Sequence, residues 1–215
     1  ETILVTKSNG VTCITLNRPD KLNSFNEEMN KALYLAFSDA GKDVSCHAIL
    51  LTGAGRAFCA GQDLGDRDPA NSKEKIDLGY TLETFYNPLV RLMRDMNKPI
   101  ICAVNGVAAG AGANLALVCD IVIAAKSAKF IQAFSKIGLI PDCGGTWSLT
   151  KLIGEARAKA ITMTAMPVMA EQAADWGMIW QAAEDDQLMG IANELAQQMA
   201  TGSTHGLGLT KQAIH

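Results

Sequence analysis

The stretch from Pro99 to Trp147 constrains this chain more than any other. An apolar run, Ile100 to Val104, stops at Asn105-Gly106. Gly106, Gly110 and Gly112 follow, and then an apolar segment reaches Val118. A second β-branched run, Ile121 to Ile123, comes next, and a later loop sets Asp142 between Pro141 and Gly144-Gly145. A continuous apolar run of strand length reads as a strand. The order is therefore strand, glycine turn, buried helix, strand and a loop carrying a carboxylate; with short strands and helices dominating the second half of the chain, this argues α/β to α+β, with a core sheet and a helical C-terminal part.

The flanking segments supply support. Residues 2 to 8 and 11 to 16 are β-rich and flank Asn9-Gly10, a two-residue hairpin signal. Ser24 or Asn26 can cap a helix to about Ala40, with Met29, Leu33, Phe37 and Ala40 on its apolar face. Ala48 to Thr52 is a short strand that ends in Gly53-Ala54-Gly55. The segment Arg56 to Leu64 has too many small residues for a regular strand. Residues 65 to 76 are polar and turn-rich, the pattern of a flap. A helix is expected from about Asp77 to Met96, bent or shifted at Pro88. Short helices are expected over Gly154 to Thr164 and Ala170 to Trp176, a short strand or turn over Gly177 to Trp180, an amphipathic helix over Leu188 to Ala200, and the start of one more after Gly202.

Composition narrows the function classes. The net charge is −3 with no Lys/Arg cluster, which argues against nucleic acid and anionic membrane as partners. No apolar run reaches the length of a membrane span, and no signal peptide is visible at Glu1. The six cysteines form no C-x-x-C and sit mostly in apolar runs, as buried reduced thiols in a cytoplasmic protein would. His47, His205 and His215 share no ligand spacing, so no metal site is assigned.

Two segments end an apolar strand and then present small residues: Gly53 to Gly61, and Asn105 to Gly112. Small side chains let a ligand approach the main chain. A helix starting near Ala109 or Gly110 leaves its first N–H groups without intrahelical partners. One of these, with one from the Ala60 region, can hold a developing oxyanion. The same glycines would also serve tight helix–strand packing. The dinucleotide fingerprint fails because Leu115 stands where a third small residue is needed. G-x-S-x-G and G-K-[ST] do not occur. Asp142 reads either as a proton shuttle beside apolar neighbours or as the cap of a helix over Gly144 to Leu149. Asp120 reads as structural.

The runs R-A-F-C-A-G-Q-D-L, N-G-V-A-A-G-A-G-A-N-L-A-L-V-C-D and F-S-K-I-G-L-I-P-D-C-G-G-T, with R-P-D-K-L-N-S near the start, resemble the enoyl-CoA hydratase/isomerase, or crotonase, superfamily. The likeness extends from Ile3 to about Met199. It implies a spiral of repeated ββα units over residues 1–145, holding an acyl-CoA site. It also implies a helical C-terminal trimerisation region over 146–215, shortened relative to the family, in a homotrimer or dimer of trimers. By position, the backbone N–H groups of Ala60 and Ala111 would hold the thioester oxygen. Lys21, Leu22, Gln62, Asp63, Leu64 and Gly112 would contact the substrate and its CoA, and Asp142 would be the catalytic acid. No separate cofactor is implied, since coenzyme A is part of the substrate.

The departures from the family pattern point to a reaction type. The family's hydratases carry two glutamates at the positions of Asn114 and Phe134 here, and neither residue can exchange a proton. One remaining carboxylate suits moving a proton between carbons. The finer likeness, in E-T-F-Y-N-P-L-V-R and A-F-S-K-I-G-L-I-P-D-C-G-G-T-W, is to the isomerases of bacterial phenylacetate degradation. It implies conversion of ring-1,2-epoxyphenylacetyl-CoA to oxepin-CoA, with a related shift of a 3,4 double bond to 2,3. Phe85, Phe134 and Trp147 are expected as aromatic walls. Two other readings stay open: a dehalogenase or hydrolase with Asp142 as nucleophile, and a crotonase-fold binding subunit without catalysis.

Overall fold

The structure, a computed structural model, describes residues 1–63 and 77–215, and for Leu78 the backbone alone. Leu64 and the proposed flap at 65–76 lie outside the described residues.

Strands β1 (Ile3–Ser8) and β2 (Val11–Leu16) form the expected hairpin. Asn9 and Gly10 turn it with φ of 49° and 80°, the positive pair that matches strand twist. Helix α1 (Glu27–Lys42) starts at Asn26, whose side chain accepts from the Met29 N–H at 2.9 Å, so Asn26 and not Ser24 is the cap. Strand β3 (Ala48–Gly53) leads to β4 (Ala57–Cys59), a three-residue strand inside the segment read above as non-strand. The helix expected over 77–96 has three parts: α2 (Leu78–Thr81), a π-helical turn (Leu82–Tyr86) and α3 (Asn87–Asp95). Pro88 accounts for the middle part. Its ring crowds the carbonyl four residues back, and the Asn87 N–H bonds instead to the Leu82 carbonyl, five back.

Strand β5 (Ile100–Val104) is followed by β6 (Val107–Ala109) and α4 (Ala111–Val118), and β7 (Ile121–Ala125) by β8 (Lys129–Ile131). After a 3₁₀ turn (Ala133–Ile137), α5 (Gly145–Thr164) runs as two helical stretches meeting at Gly154, whose φ of 77° only glycine adopts freely. The remaining elements are β9 (Val168–Met169), α6 (Ala170–Asp175), β10 (Gln181–Ala183), α7 (Leu188–Thr201) and α8 (Thr204–Ile214). Gly177 to Trp180 is a turn leading into β10.

Among the described residues a six-stranded sheet has the order β1-β2-β3-β5-β7-β10, and a four-stranded one β4-β6-β8-β9. Three strands of the first sheet are each followed by a short strand of the second and then by helix: β3, β4 and α2–α3; β5, β6 and α4; β7, β8 and α5. This is the ββα spiral that the resemblance implies. Strands β3 and β5 are buried along their length because α7 crosses them on Ala192, Ala196 and Ala200, small enough for close approach. Residues 146–215 are not wholly helical, since β9 and β10 extend the two sheets. Helix α8 is tied down by Lys211, nearly buried, whose Nζ reaches Asp120 Oδ2 at 2.9 Å and the Met93 carbonyl at 2.7 Å. Asp120 also accepts the Ile100 N–H at 2.8 Å, and so has the structural role expected of it. No helix among the described residues is long and apolar enough to cross a membrane.

Candidate active site

The two glycine segments meet at one place, the start of α4. Gly61 has φ of 89°, and a Cβ there would lie 2.8 Å from the Ala109 carbonyl oxygen and 3.5 Å from the Ala111 nitrogen. Gly110 precedes the helix at φ 52° and ψ −126°, another backbone that favours glycine. Gly61 lets the two segments approach this closely, and Gly110 supplies the backbone conformation that leads into the helix. Ala111 is the first residue of α4, so its N–H has no carbonyl four residues back to bond within the helix.

Across from it runs the extended segment Ala60–Asp63. The Ala60 N–H is not aimed at this junction, because it donates to the Leu22 carbonyl at 2.9 Å. The turn that captures it is held by Asn23, whose Nδ2 donates to the carbonyls of Ala54 (2.9 Å) and Ala57 (2.8 Å). Two residues on, the Phe25 N–H donates to Gly61 O and the Asp63 N–H to Phe25 O. In such a parallel bridge the intervening residue, Gln62, turns its own N–H away from Phe25. Gly61, next to Gln62, is the residue that approaches Ala111. The N–H groups left available here among the described residues are those of Gln62 and Ala111, whereas that of Ala60, read above as a donor, is engaged by Leu22. The Gln62 side chain is pinned separately, accepting from the Tyr86 hydroxyl, and Tyr86 packs edge-on to Phe25 with centroids 6.0 Å apart.

The other expected contact residues divide. Lys21 is exposed at the end of a 3₁₀ turn (Pro19–Lys21), and Leu22 follows in the left-handed region at φ 49°, beside Ala60. Asp63 bridges to Arg18 at 2.9 Å. Gly112 is buried, and a Cβ on it would lie 2.5–2.7 Å from Cys59, so this glycine serves helix–strand packing. Leu64 is outside the described residues.

Asp142 sits in the turn before α5, and its carbonyl accepts from the Gly145 N–H at 2.8 Å and from Asn114 Nδ2 at 2.9 Å. The residue capping α5 is Gly144, not Asp142. Asn114 is fully buried in α4, one turn beyond Ala111. Phe134 lies against Gly110, its ring tip 3.7 Å from where a Cβ would stand. Neither position carries a group able to take a proton. Trp147 is not at this junction. It is half exposed beneath Arg94, 4.1 Å from the ring centre, in a cavity of about 460 Å³ at the far end of α4. Among the described residues no cluster of His, Cys, Asp and Glu is arranged to hold a metal ion.

The thiols near the site are protonated. Burial pushes Cys59 up to about 12. Burial also pushes Cys143 well above the ordinary thiol value, with the adjacent Asp142 carboxylate adding to it. A thiol that ionises near 9 when unfolded and near 12 when folded stabilises the fold fully below pH 9, and less as pH rises toward 12. Cys59 alone is expected to account for a loss of about 2 kcal/mol at about pH 10.5. Urea midpoints from neutral to alkaline pH should therefore fall less steeply for Cys59→Ala than for the unchanged protein. Parallel slopes would show that this thiol is not the source.

Paired N–H groups at a helix start can hold a carbonyl oxygen, and a carboxylate on the adjoining turn can move a proton beside it. Known proteins with this architecture are numerous. Residues 6–215 match the enoyl-CoA hydratase/isomerase family. The 1,2-epoxyphenylacetyl-CoA isomerase of Escherichia coli (strain K12) is 55% identical over 215 residues, covering 100% of this chain and 82% of that protein. The 2,3-dehydroadipyl-CoA hydratase of the same organism is 34% identical over 212 residues, covering 99% of this chain and 81% of that one. The crystal structure of an enoyl-CoA hydratase from Bacillus anthracis superposes with a TM-score of 0.93 at 31% identity, covering 100% of this chain and 82% of that chain. With the ββα spiral, the glycine junction and these matches in agreement, the chain belongs to the enoyl-CoA hydratase/isomerase family, whose members act on acyl-CoA thioesters.

Proposed function

We propose that this protein is an acyl-CoA isomerase that converts ring-1,2-epoxyphenylacetyl-CoA to oxepin-CoA and can shift a 3,4 double bond of an acyl-CoA to the 2,3 position. The observation that carries this reading is the fate of the two positions where the family's hydratases hold glutamates. Asn114 is spent on the Asp142 carbonyl, and Phe134 is packed on Gly110. One carboxylate, Asp142, is left on the turn beside the helix start. The 55% identity to an epoxyphenylacetyl-CoA isomerase supports the same reading.

In this mechanism the N–H groups of Gln62 and Ala111 bind the thioester oxygen. Negative charge that develops there when a carbon acid loses its proton is stabilised as an enolate. Asp142 takes that proton from a carbon next to the conjugated system and returns it to another, so no water is consumed. Lys21 and Leu22 lie at the rim, where the CoA portion would pass. Assembly as a homotrimer or dimer of trimers belongs to the same reading and is measured by light scattering.

Mass spectrometry of the products from ring-1,2-epoxyphenylacetyl-CoA, a 3-enoyl-CoA and crotonyl-CoA tests it. Isomers of unchanged mass are expected from the first two, with solvent deuterium entering a substrate carbon. Crotonyl-CoA gaining one water would sink the argument from Asn114 and Phe134. A trapped ester on Asp142 would instead favour a nucleophilic role.

A further inference from the structure

Asn114 and Gln132 stand together as a buried amide pair, 0% and 1% exposed, with Gln132 Nε2 2.8 Å from Asn114 Oδ1. We propose that this pair holds the Asp142 turn in its working position, making both positioning residues for proton transfer. The proposal rests on the reading of Asp142 as the group that moves the proton.

The direction of every amide in the chain is fixed from one end. The Asp142 carbonyl can only accept, so Asn114 must present its NH₂ there at 2.9 Å. Asn114 Oδ1 then faces Gln132, which must in turn present its own NH₂. This leaves Gln132 Oε1 buried with no hydrogen-bond partner among the described residues. A buried unpaired carbonyl opposes folding, and without the Gln132 NH₂ the orphan would be Asn114 Oδ1, on the residue that bonds Asp142. The arrangement satisfies Asp142 and Asn114 at the expense of Gln132, which is the pattern of a chain oriented toward the turn.

The turn needs such a hold. Cys143 sits at φ 45°, in the left-handed region that a side chain disfavours, and Gly144 at 72°. Helix α5 begins directly on the Asn114 amide, since a Cβ on Gly145 would lie 2.2–2.6 Å from it. Asn114 is also one turn along α4 from Ala111, so a single short helix carries an oxygen-binding N–H at its start and the tether of the carboxylate turn behind it. Gln132 closes the frame from the other side. It follows β8, whose Ile131 carbonyl accepts the Gly110 N–H at 2.8 Å. The tether thus sets the distance between the N–H pair and the carboxylate, a quantity on which proton transfer depends steeply.

The test uses Asn114→Ala, Asn114→Asp and Gln132→Met, with Asp142→Asn measured beside them. Asn114→Ala is expected to lower kcat about 10–100-fold with KM little changed, as misplacement of a reacting group does. Asn114→Asp keeps the shape, but its carboxyl can donate to the Asp142 carbonyl only while protonated. Its kcat is expected to fall as pH rises through the ionisation of that carboxyl and to recover at lower pH, which a merely structural defect would not do. Gln132→Met removes one unpaired carbonyl, Gln132 Oε1, and leaves Asn114 Oδ1 unpaired in its place, so the number of buried orphans is unchanged and the fold should hold. This variant is expected to lower kcat by a smaller factor, and it carries the test if the Asn114 variants do not fold. An inactive Asp142→Asn alongside an unchanged kcat and pH profile in the Asn114 or Gln132 variants would overturn this proposal alone. An active Asp142→Asn would overturn the reading beneath it.

Discussion

Asp142→Asn is expected to lower kcat for double-bond transfer by about 10³-fold, within the range attributed to a positioned acid–base group. That factor corresponds to about 4 kcal/mol of transition-state stabilisation. Asparagine has nearly the same shape and cannot exchange a proton. The turn should survive the change, because it is held through the Asp142 carbonyl by Gly145 and Asn114 and not by the side chain alone. The thermal midpoint should therefore move little, while solvent-deuterium incorporation into substrate should disappear. The decisive measurement is single-turnover kinetics with a 3-enoyl-CoA. Retention of deuterium exchange at the original rate would exclude Asp142 from the proton path.

The second large effect is expected from Ala111→Pro. Proline at the first position of a helix is well tolerated, since its fixed φ suits the turn and its missing N–H served no helix bond. Here that N–H is one of the two proposed to hold the thioester oxygen. Glycine, the residue in front, accommodates the proline ring better than a residue with a side chain would. The variant should fold, show an unchanged circular dichroism spectrum and lose about 10²–10³ in kcat, the usual consequence of removing one oxyanion donor. A normal kcat in a folded Ala111→Pro protein would locate the oxygen elsewhere. The two substitutions are separable by exchange: Asp142→Asn removes the proton acceptor, whereas Ala111→Pro leaves it and weakens the charge stabilisation.

Much of the architecture was legible because it is written in short-range pattern. Asn9-Gly10 needs two positive φ angles, and only a hairpin uses them this way. The Met29, Leu33, Phe37 and Ala40 spacing and the Asn26 cap define α1 without reference to the rest of the chain. The runs at β3 and β5 are apolar throughout because both faces are covered. The short strands β4, β6 and β8 are three residues each, too few to show an alternation, and exist because they pair with one another across the spiral. The π-helical turn before Pro88 is likewise a local accommodation; the sequence announced a disturbance there but not its form.

The site divides in the same way. Residue chemistry marked Asp142 as a proton shuttle or a cap, the glycine pattern placed a helix start near Ala109 or Gly110, and the family resemblance put the donor at Ala111. Which donor can partner it depended on pairing with Leu22 and Phe25, far off in the chain, and that pairing engages Ala60 and leaves the Gln62 N–H unused. Trp147 likewise looked like a wall of the site until the direction of α5 carried it to the other end of α4. The sequence by itself determined which backbone stretches are glycine-permissive and which side chains can carry a proton, because φ freedom and ionisation are properties of single residues. Only the tertiary structure decided which N–H groups remain available, and that the Asn114 amide bonds the Asp142 carbonyl, because a hydrogen-bonding group's role is set by the partner that folding brings to it.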